Sequence, residues 1–165
     1  MNNPETLAAG SAETRWLSAE EQQLWLELRE FSNGLSRTID RQLAQDACLS
    51  GVEYAVLAAV SEAPPEGVRS GDLAAILSWD RSRVSHLLRR MEAKDLIGRC
   101  AASSDGRAQE ITLTDLGWET IRSAAPGHVT MVRETIFDPL TVAQQEQLLT
   151  AIRCIRLAAT DRGLW

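Results

Sequence analysis

Apolar residues recur with a helical period over the first third of the chain. From Ser18 to Asp46 they follow one another at spacings of four and three: Leu24, Leu28, Phe31, Leu35, Ile39 and Leu43. This spacing predicts an amphipathic helix with one apolar face. Ser18 and Glu21 have the spacing of a capping box, so we expect the helix to begin there. At about 1.5 Å per residue it would be roughly 40 Å long, which suggests that it reaches a second subunit.

The middle of the chain predicts a helix-turn-helix followed by a hairpin. A capping box at Ser50 begins a helix that the prolines at 64 and 65 end, and Ser70 is the expected N-cap of a short helix over 71–77. After a turn ending in the predicted cap Asp80, the next helix spans 81–94, with one apolar face of Val84, Leu87, Leu88 and Met91. Strand candidates at 97–101 and 109–113 flank a turn over 103–106, which predicts a wing.

The last third of the chain predicts two further helices. Thr114 is the expected cap of the first, and Pro126 with Gly127 predicts a kink or a break before the helix resumes over 128–137. A capping box at Thr141 begins the last helix, whose apolar face has Leu148, Ile152, Ile155 and Ala159. The expected fold is therefore mainly α with a small β-wing: a dimerisation segment over 1–46, a winged helix-turn-helix over 47–113, and dimerisation helices over 114–165.

Positive charge is concentrated in the centre of an acidic chain. The net charge is −6, but the segment from Arg81 to Arg107 has seven basic and three acidic residues, a net +4, which leaves −10 elsewhere. This distribution is typical of a reader of duplex DNA, although a solvated charged face is the alternative. The residues expected on the DNA surface of the central helix are Arg81, Ser82, Arg83, Ser85, His86 and Arg89.

Five further residues of this basic segment have predicted roles of their own. Arg90 is expected to contact a phosphate or to pair with an acidic residue, and Lys94 is expected to be solvated. Arg107 is the candidate for a minor-groove contact, because a narrow groove attracts a guanidinium. Asp105, with Gly106 in the turn, is expected to support the wing.

Other classes of protein find little support in the sequence. There is no apolar run of about 18 residues and no export signal, so we expect a cytoplasmic protein without a membrane partner. No nucleophile–base pair, phosphate loop or metal-ligand spacing is present, which argues against an enzyme, a cofactor or a metal. We expect Cys48, Cys100 and Cys154 to be small buried thiols; Cys100, beside Arg99, is the candidate for redox sensing.

The aromatic residues leave two interpretations open. We expect Trp79 to lie in the core. Trp16 and Trp25 could line a pocket for an aromatic ligand together with His128, or they could pack at a dimer interface.

The sequence resembles the MarR family of bacterial winged helix-turn-helix regulators over most of its length. The resemblance rests on LAAILSWDRSRVSHLLRRMEAKDLIGR from Leu73 to Arg99, on the wing DGRAQEITLT from Asp105 to Thr114, and on Leu116-Gly117. Family members usually have glycine where Asp95 stands, a mild departure because Asp tolerates left-handed backbone.

The resemblance implies a homodimer with two recognition helices in successive major grooves of a near-palindromic site and wings in the adjacent minor grooves. It also implies repression, relieved by a small aromatic or phenolic ligand. A thiol-switched regulator on the same scaffold, or a helical dimerisation module that binds only protein, are the alternatives.

Overall fold

The computed structural model describes residues 14–102 and 105–164, and describes no side chains between 101 and 109. The chain divides into two compact units, Met1–Gly34 and Leu35–Trp165. The first helix begins in the first unit and ends in the second. All elements of the helix-turn-helix and the wing belong to the second unit.

The described elements follow the predicted order. They are α1 (Ala19–Ala47), α2 (Gly51–Ser61), β1 (Val68–Arg69), α3 (Ser70–Leu77), α4 (Arg81–Ala93), β2 (Ile97–Ala102), β3 (Asp105–Leu113), α5 (Asp115–Val132), a π-helical turn (Arg133–Phe137) and α6 (Val142–Asp161). The three strands form one antiparallel sheet in the order β1-β3-β2.

Local hydrogen bonds explain where most helices begin. In the box that precedes α1, the Ser18 N–H donates to Glu21 Oε2 at 2.8 Å and the Glu21 N–H donates to Ser18 Oγ at 3.2 Å. Equivalent boxes begin α2 at Ser50 and α6 at Thr141, and the Thr114 side chain caps α5. Each of these caps was predicted, because a cap depends on residues only three positions apart.

The start of α3 differs from the prediction. Ser70 is the first helical residue, and Arg69 occupies the N-cap position, where its side chain does not cap the helix. The reason is that Arg69 is the β-ladder partner of Glu110 in β3. The extended backbone of β1 therefore passes directly into the helix. Tertiary strand pairing therefore sets this helix boundary.

Of the predicted kink or break at Pro126, the break is wrong, since α5 continues through Pro126 to Val132; the kink stays a prediction. Gly127 lies so close to α1 that a Cβ there would be 2.4 Å from Asp46 Oδ2, and Met131 is buried. Packing on the C-terminal side of the proline keeps the chain helical despite the lost backbone donor. A π-helical turn follows α5 before Pro139.

The wing strands are longer than expected. Ala102 pairs with Asp105, with a register irregularity between Ala101 and Ala102, so Asp105 and Gly106 belong to β3 rather than to the turn. The predicted turn residues 103 and 104 lie outside the described residues. Pairing with β2 makes β3 begin at Asp105, and the composition of the turn does not show how far that pairing extends.

One hydrophobic core holds the helix-turn-helix against the sheet. Its most buried side chains come from α1, α2, α3, α4 and both wing strands: Leu43, Val56, Leu57, Leu73, Val84, Leu88, Met91, Ile97 and Ile111. All four residues of the predicted apolar face of α4 are buried. The opposite face of α4 is therefore directed outward.

The base of the wing is held tightly to the end of α4. Asp95 adopts the left-handed conformation with φ 58°, as the missing family glycine implied. Thr114 donates its hydroxyl to the Asp95 carbonyl, and a Cβ on Gly117 would be 2.0 Å from the Leu96 carbonyl oxygen. The start of α5 thus fixes where the wing leaves the recognition helix.

The cysteine prediction is wrong, because all three thiols are exposed in the single chain. Cys48 follows α1 in a left-handed conformation with φ 53°. Cys100 lies on β2, and Cys154 lies on α6, where only Ala159 is buried. A small apolar side chain is buried only where another element covers it, and the described chain provides no cover at these positions.

Candidate nucleic-acid interface

The outward face of α4 brings together the residues predicted to contact DNA. Arg81, Ser82, Arg83, His86, Arg89 and Arg90 are all exposed. Ser85 is half-buried, and its hydroxyl donates to the Arg81 carbonyl at 2.8 Å. The arrangement follows from the helical period, which separates these positions from the buried stripe.

Asp80 organises the first turn of α4. Its Oδ1 accepts the Ser82 N–H at 2.7 Å and the Arg83 N–H at 3.3 Å, and it also accepts the Ser82 hydroxyl. The hydrogen bonds from the Ser82 side chain and from these two backbone groups lower the pKa of Asp80. The carboxylate therefore stays ionised at the positive end of the helix dipole and offsets nearby arginine charge.

Arg83 has an aromatic partner that the sequence reading missed. Its guanidinium carbon lies 4.8 Å from the centroid of the Trp79 ring. Trp79 is half-buried and packs against the core, so the prediction of a core residue describes only part of its surface. The spacing of four residues was visible in the sequence, but the turn at Ser78, with φ 53°, decides which way the indole points.

Lys94 is not merely solvated, which corrects the prediction. Its Nζ lies 2.6 Å from Oε1 of Glu53, whose side chain is only 3% exposed. The Glu53 carboxylate also accepts the N–H and the hydroxyl of Ser50. Burial alone would raise the pKa of Glu53, but the hydrogen bonds from Lys94 and Ser50, together with the lysine charge, hold it below its usual range. Sequence reasoning identified Glu53 only as a capping residue, because its partner is 41 positions away.

The arginines of α4 remain available to a ligand. Within the described part of the chain, Arg81, Arg83, Arg89 and Arg90 form no ion pair, so of the two roles predicted for Arg90 the intramolecular pair is not formed there. By contrast, Arg99 of β2 lies 3.2 Å from Glu92. The unpaired guanidiniums give this face of the helix a positive surface.

The structure describes the backbone of the wing strands but not the side chains near the wing tip. Arg107, Asp105 and Gly106 lie in β3, and their side chains are outside the described residues. Their predicted roles in minor-groove contact and wing support stay predictions.

The residues of the predicted ligand pocket fall in different units. Trp16 is 83% exposed and Trp25 is 51% exposed, both in the first unit, and His128 belongs to the second. The His128 ring lies 4.4 Å from the Tyr54 ring, its Nδ1 is buried without a hydrogen-bond partner in the described structure, and burial lowers its pKa. Tyr54 gave no sequence signal beyond its place in α2. The pocket stays a prediction.

The described residues form neither a metal site nor a single membrane-spanning helix. No group of three or more His, Cys, Asp or Glu side chains there could hold a metal ion. No single described helix is long and apolar enough to cross a membrane; α1 and α2 reach that length and composition only together, across a 75° bend.

Comparison with known proteins identifies the family. A family model described as MarR family matches residues 49–108, from the start of α2 into the wing. A MarR family transcriptional regulator from Streptomyces coelicolor, solved in complex with DNA, is 40% identical to this chain, with a TM-score of 0.83 over 88% of this chain and 91% of that one. The chain belongs to the MarR family.

Two further solved structures extend the likeness. AbsC, a MarR family transcriptional regulator from Streptomyces coelicolor, is 34% identical with a TM-score of 0.83, covering 91% of this chain and 99% of its own. MepR from S. aureus, solved as a DNA complex, is 23% identical with a TM-score of 0.75 over 81% and 96% of the two chains, and shares the fold. A search of curated proteins found no match. The regulator fold, mainly helical with a three-stranded wing sheet, confirms the predicted fold class.

Proposed function

We propose that this MarR family protein is a transcriptional regulator that binds a near-palindromic operator as a homodimer and represses transcription until a small aromatic ligand releases it. The observation that carries the DNA-binding part is the outward face of α4, where the arginines form no ion pair within the described chain. A guanidinium can pair bidentately with guanine O6 and N7 or bind phosphate. The relative solved in complex with DNA, 40% identical, supports DNA binding by this chain.

Exposed apolar side chains support the homodimer. On α6, Ile152 is 45% exposed and Ile155 is 55% exposed; on α1, Leu24 is 69% exposed and Phe31 is 49% exposed. These residues belong to the faces that the sequence predicts to be apolar. Large apolar patches on a free surface mark interaction sites, and a second copy covers such helices symmetrically.

Unpaired buried polar atoms support a small-molecule effector. His128 Nδ1 and Gln42 Oε1 are both buried without a partner among the described residues, and the Tyr54 ring lies against the histidine ring at an angle of 45°. Such atoms cost free energy unless a ligand or water pairs with them. A hydroxylated aromatic compound would supply both a hydrogen-bonding group and a ring. Trp16 and Trp25 are the proposed aromatic residues of the first unit.

The exposure of Cys100 favours a second candidate, a thiol-switched regulator. Its Sγ lies 3.8 Å from the Glu66 carbonyl oxygen and 3.6 Å from that of Glu110, at the sheet below the wing. Oxidation there would add bulk next to strand pairing. Peroxide treatment that leaves operator binding unchanged rejects this candidate.

Selection of bound fragments from the native genome, followed by band shifts, tests the DNA proposal. Specific binding should exceed binding to unrelated duplex by about 10³-fold or more and weaken steeply with salt. Arg83→Ala or Arg89→Ala should cost about 1–3 kcal/mol and relax preference at particular bases, whereas Arg107→Ala should weaken binding to several sequences alike.

Arg122 offers a matched control, because this exposed α5 arginine also stacks on a tryptophan, Trp118, at 5.2 Å. Arg122→Ala should leave operator affinity within about twofold, in keeping with the small effect of most surface substitutions. Binding that ignores sequence and salt would refute the proposal. For the effector, tryptophan fluorescence should respond to small aromatic compounds; silence across a broad panel would reject it.

A further inference from the structure

The stacked pair of Trp79 and Arg83 stands at the end of α4 that enters the DNA groove in helix-turn-helix proteins. Trp79 precedes the cap residue Asp80, and Arg83 is the third residue of the helix. Part of the indole packs against the core, and this packing restricts the orientation of the ring. The arginine thus lies over a fixed aromatic platform.

The contact with the indole does not consume the hydrogen-bond donors of Arg83. Its guanidinium carbon lies over the Trp79 ring, and a cation–π contact acts through the charge of the guanidinium, so the N–H donors remain able to pair with guanine O6 and N7. Asp80 accepts the backbone N–H of Arg83 and forms no ion pair with its guanidinium in the described chain. Within the described chain no acidic side chain forms an ion pair with Arg83.

Holding the side chain in advance has an energetic consequence. A free arginine loses rotamer entropy when it forms a bidentate contact, and a side chain already ordered loses less. The contact with Trp79 therefore favours pairing of Arg83 with a base. A phosphate contact needs no such orientation and is available on DNA of any sequence.

We propose that Trp79 is a positioning residue for sequence recognition, which orients Arg83 for a base contact without touching the base itself. This inference rests on the proposed function, because it requires that α4 reads DNA. It predicts that the indole affects discrimination between sequences rather than general affinity for duplex.

The experiment measures dissociation constants for the selected operator and for a scrambled duplex of equal length, with Trp79→Leu, Trp79→Phe and Trp79→Tyr. Trp79→Leu should weaken operator binding about two- to fivefold, the range expected for an exposed cation–π contact, and leave scrambled binding unchanged. Trp79→Tyr, which keeps an electron-rich ring, should stay within about twofold of the unsubstituted protein, and Trp79→Phe should lie between.

Two comparisons show whether the effect passes through the arginine. In an Arg83→Ala background, Trp79→Leu and Trp79→Phe should cause no further loss of discrimination. Trp118→Leu, which removes the platform under Arg122 on α5, should not alter discrimination in any background. Thermal unfolding identifies a variant that fails to fold, and the Phe substitution then decides the test because it preserves most of the packing volume.

The outcomes separate the two proposals. The inference is overturned if the Trp79 variants lose the same amount of discrimination with and without Arg83. It is also overturned if Trp79→Leu and Trp79→Phe leave discrimination unchanged while Arg83→Ala still weakens operator binding. In both cases the proposed function stands. An unsubstituted protein that binds operator and scrambled duplex equally would reject the proposed function and this inference with it.

Discussion

The ion pair between Glu53 of α2 and Lys94 at the end of α4 offers a quantitative test of how the recognition helix is held. Glu53 is buried, and its carboxylate has three partners: Lys94 Nζ at 2.6 Å, the Ser50 N–H at 3.0 Å and the Ser50 hydroxyl at 2.8 Å. Lys94→Met removes the only cation among them and leaves the two serine hydrogen bonds in place.

The expected cost follows from the burial of each partner. Losing one member of a fully buried pair costs about 3–5 kcal/mol, and a hydrogen bond to a charged group contributes about 1.5–3 kcal/mol. The Lys94 side chain is 49% exposed, so water can approach the vacated position. We therefore expect Lys94→Met to lower the free energy of unfolding by about 2 kcal/mol at pH 7, below the fully buried range.

A double-mutant cycle isolates the pair. Glu53→Gln should cost less than Lys94→Met, because it leaves a half-exposed ammonium unpaired rather than a buried carboxylate. The double variant should lose less free energy of unfolding than the two single variants lose together. Urea unfolding should give a coupling free energy of about 1–2 kcal/mol. Asp138→Asn is the control, since the Arg133–Asp138 pair at 3.0 Å has side chains 64% and 50% exposed and should contribute about 0.5 kcal/mol or less.

The pH dependence provides an independent check. The pKa of Glu53 is lowered in the folded protein, so its contribution is complete above the ordinary value of 4.5 and disappears as the pH falls through the lowered value. The difference in free energy of unfolding between the unsubstituted protein and Lys94→Met should be constant from about pH 6 to 8 and shrink below about pH 4.5. His128 titrates in both proteins and cancels in the difference. A cost below about 0.3 kcal/mol at pH 7, or a difference independent of pH, would refute the reasoning.

Two further predictions concern the fold. Gly117→Ala should destabilise the protein by about 2 kcal/mol or more in chemical unfolding, because its Cβ would lie 2.0 Å from the Leu96 carbonyl oxygen, whereas Gly71→Ala, with no atom within 4 Å, should be neutral or slightly stabilising. Similar stability of the two variants would contradict this packing. Thr141→Ala should cost about 1 kcal/mol by removing the cap on the Gln144 N–H of α6, and an unchanged unfolding midpoint would argue against the box.

Sequence reasoning succeeded where the deciding interactions are local. The boxes at Ser18, Ser50 and Thr141 each depend on a residue three positions away, and Asp80 caps a helix that begins at the next residue. The apolar face of α4 depends only on its helical period. The same period defines the opposite, cationic face.

It failed where a distant segment overrides a local signal. Ser70 lost the cap position because β1 pairs with β3, and Pro126 did not end α5 because Gly127 packs against α1. Asp105 and Gly106 have the composition of a turn, but both lie in β3, where Asp105 pairs with Ala102 of β2. Propensity is a weak preference that tertiary contacts of larger free energy can reverse.

The sequence by itself determined the order of the elements, most helix starts and which helix presents basic side chains, because each of these depends on residues within one or two turns. The tertiary structure decided which charges remain available: Lys94 is paired with a glutamate 41 positions away, while the arginines of α4 stay without ion pairs in the described chain and one of them rests on Trp79. Charge pairing depends on distance and burial in space, and only the packed core brings α2 and the end of α4 together.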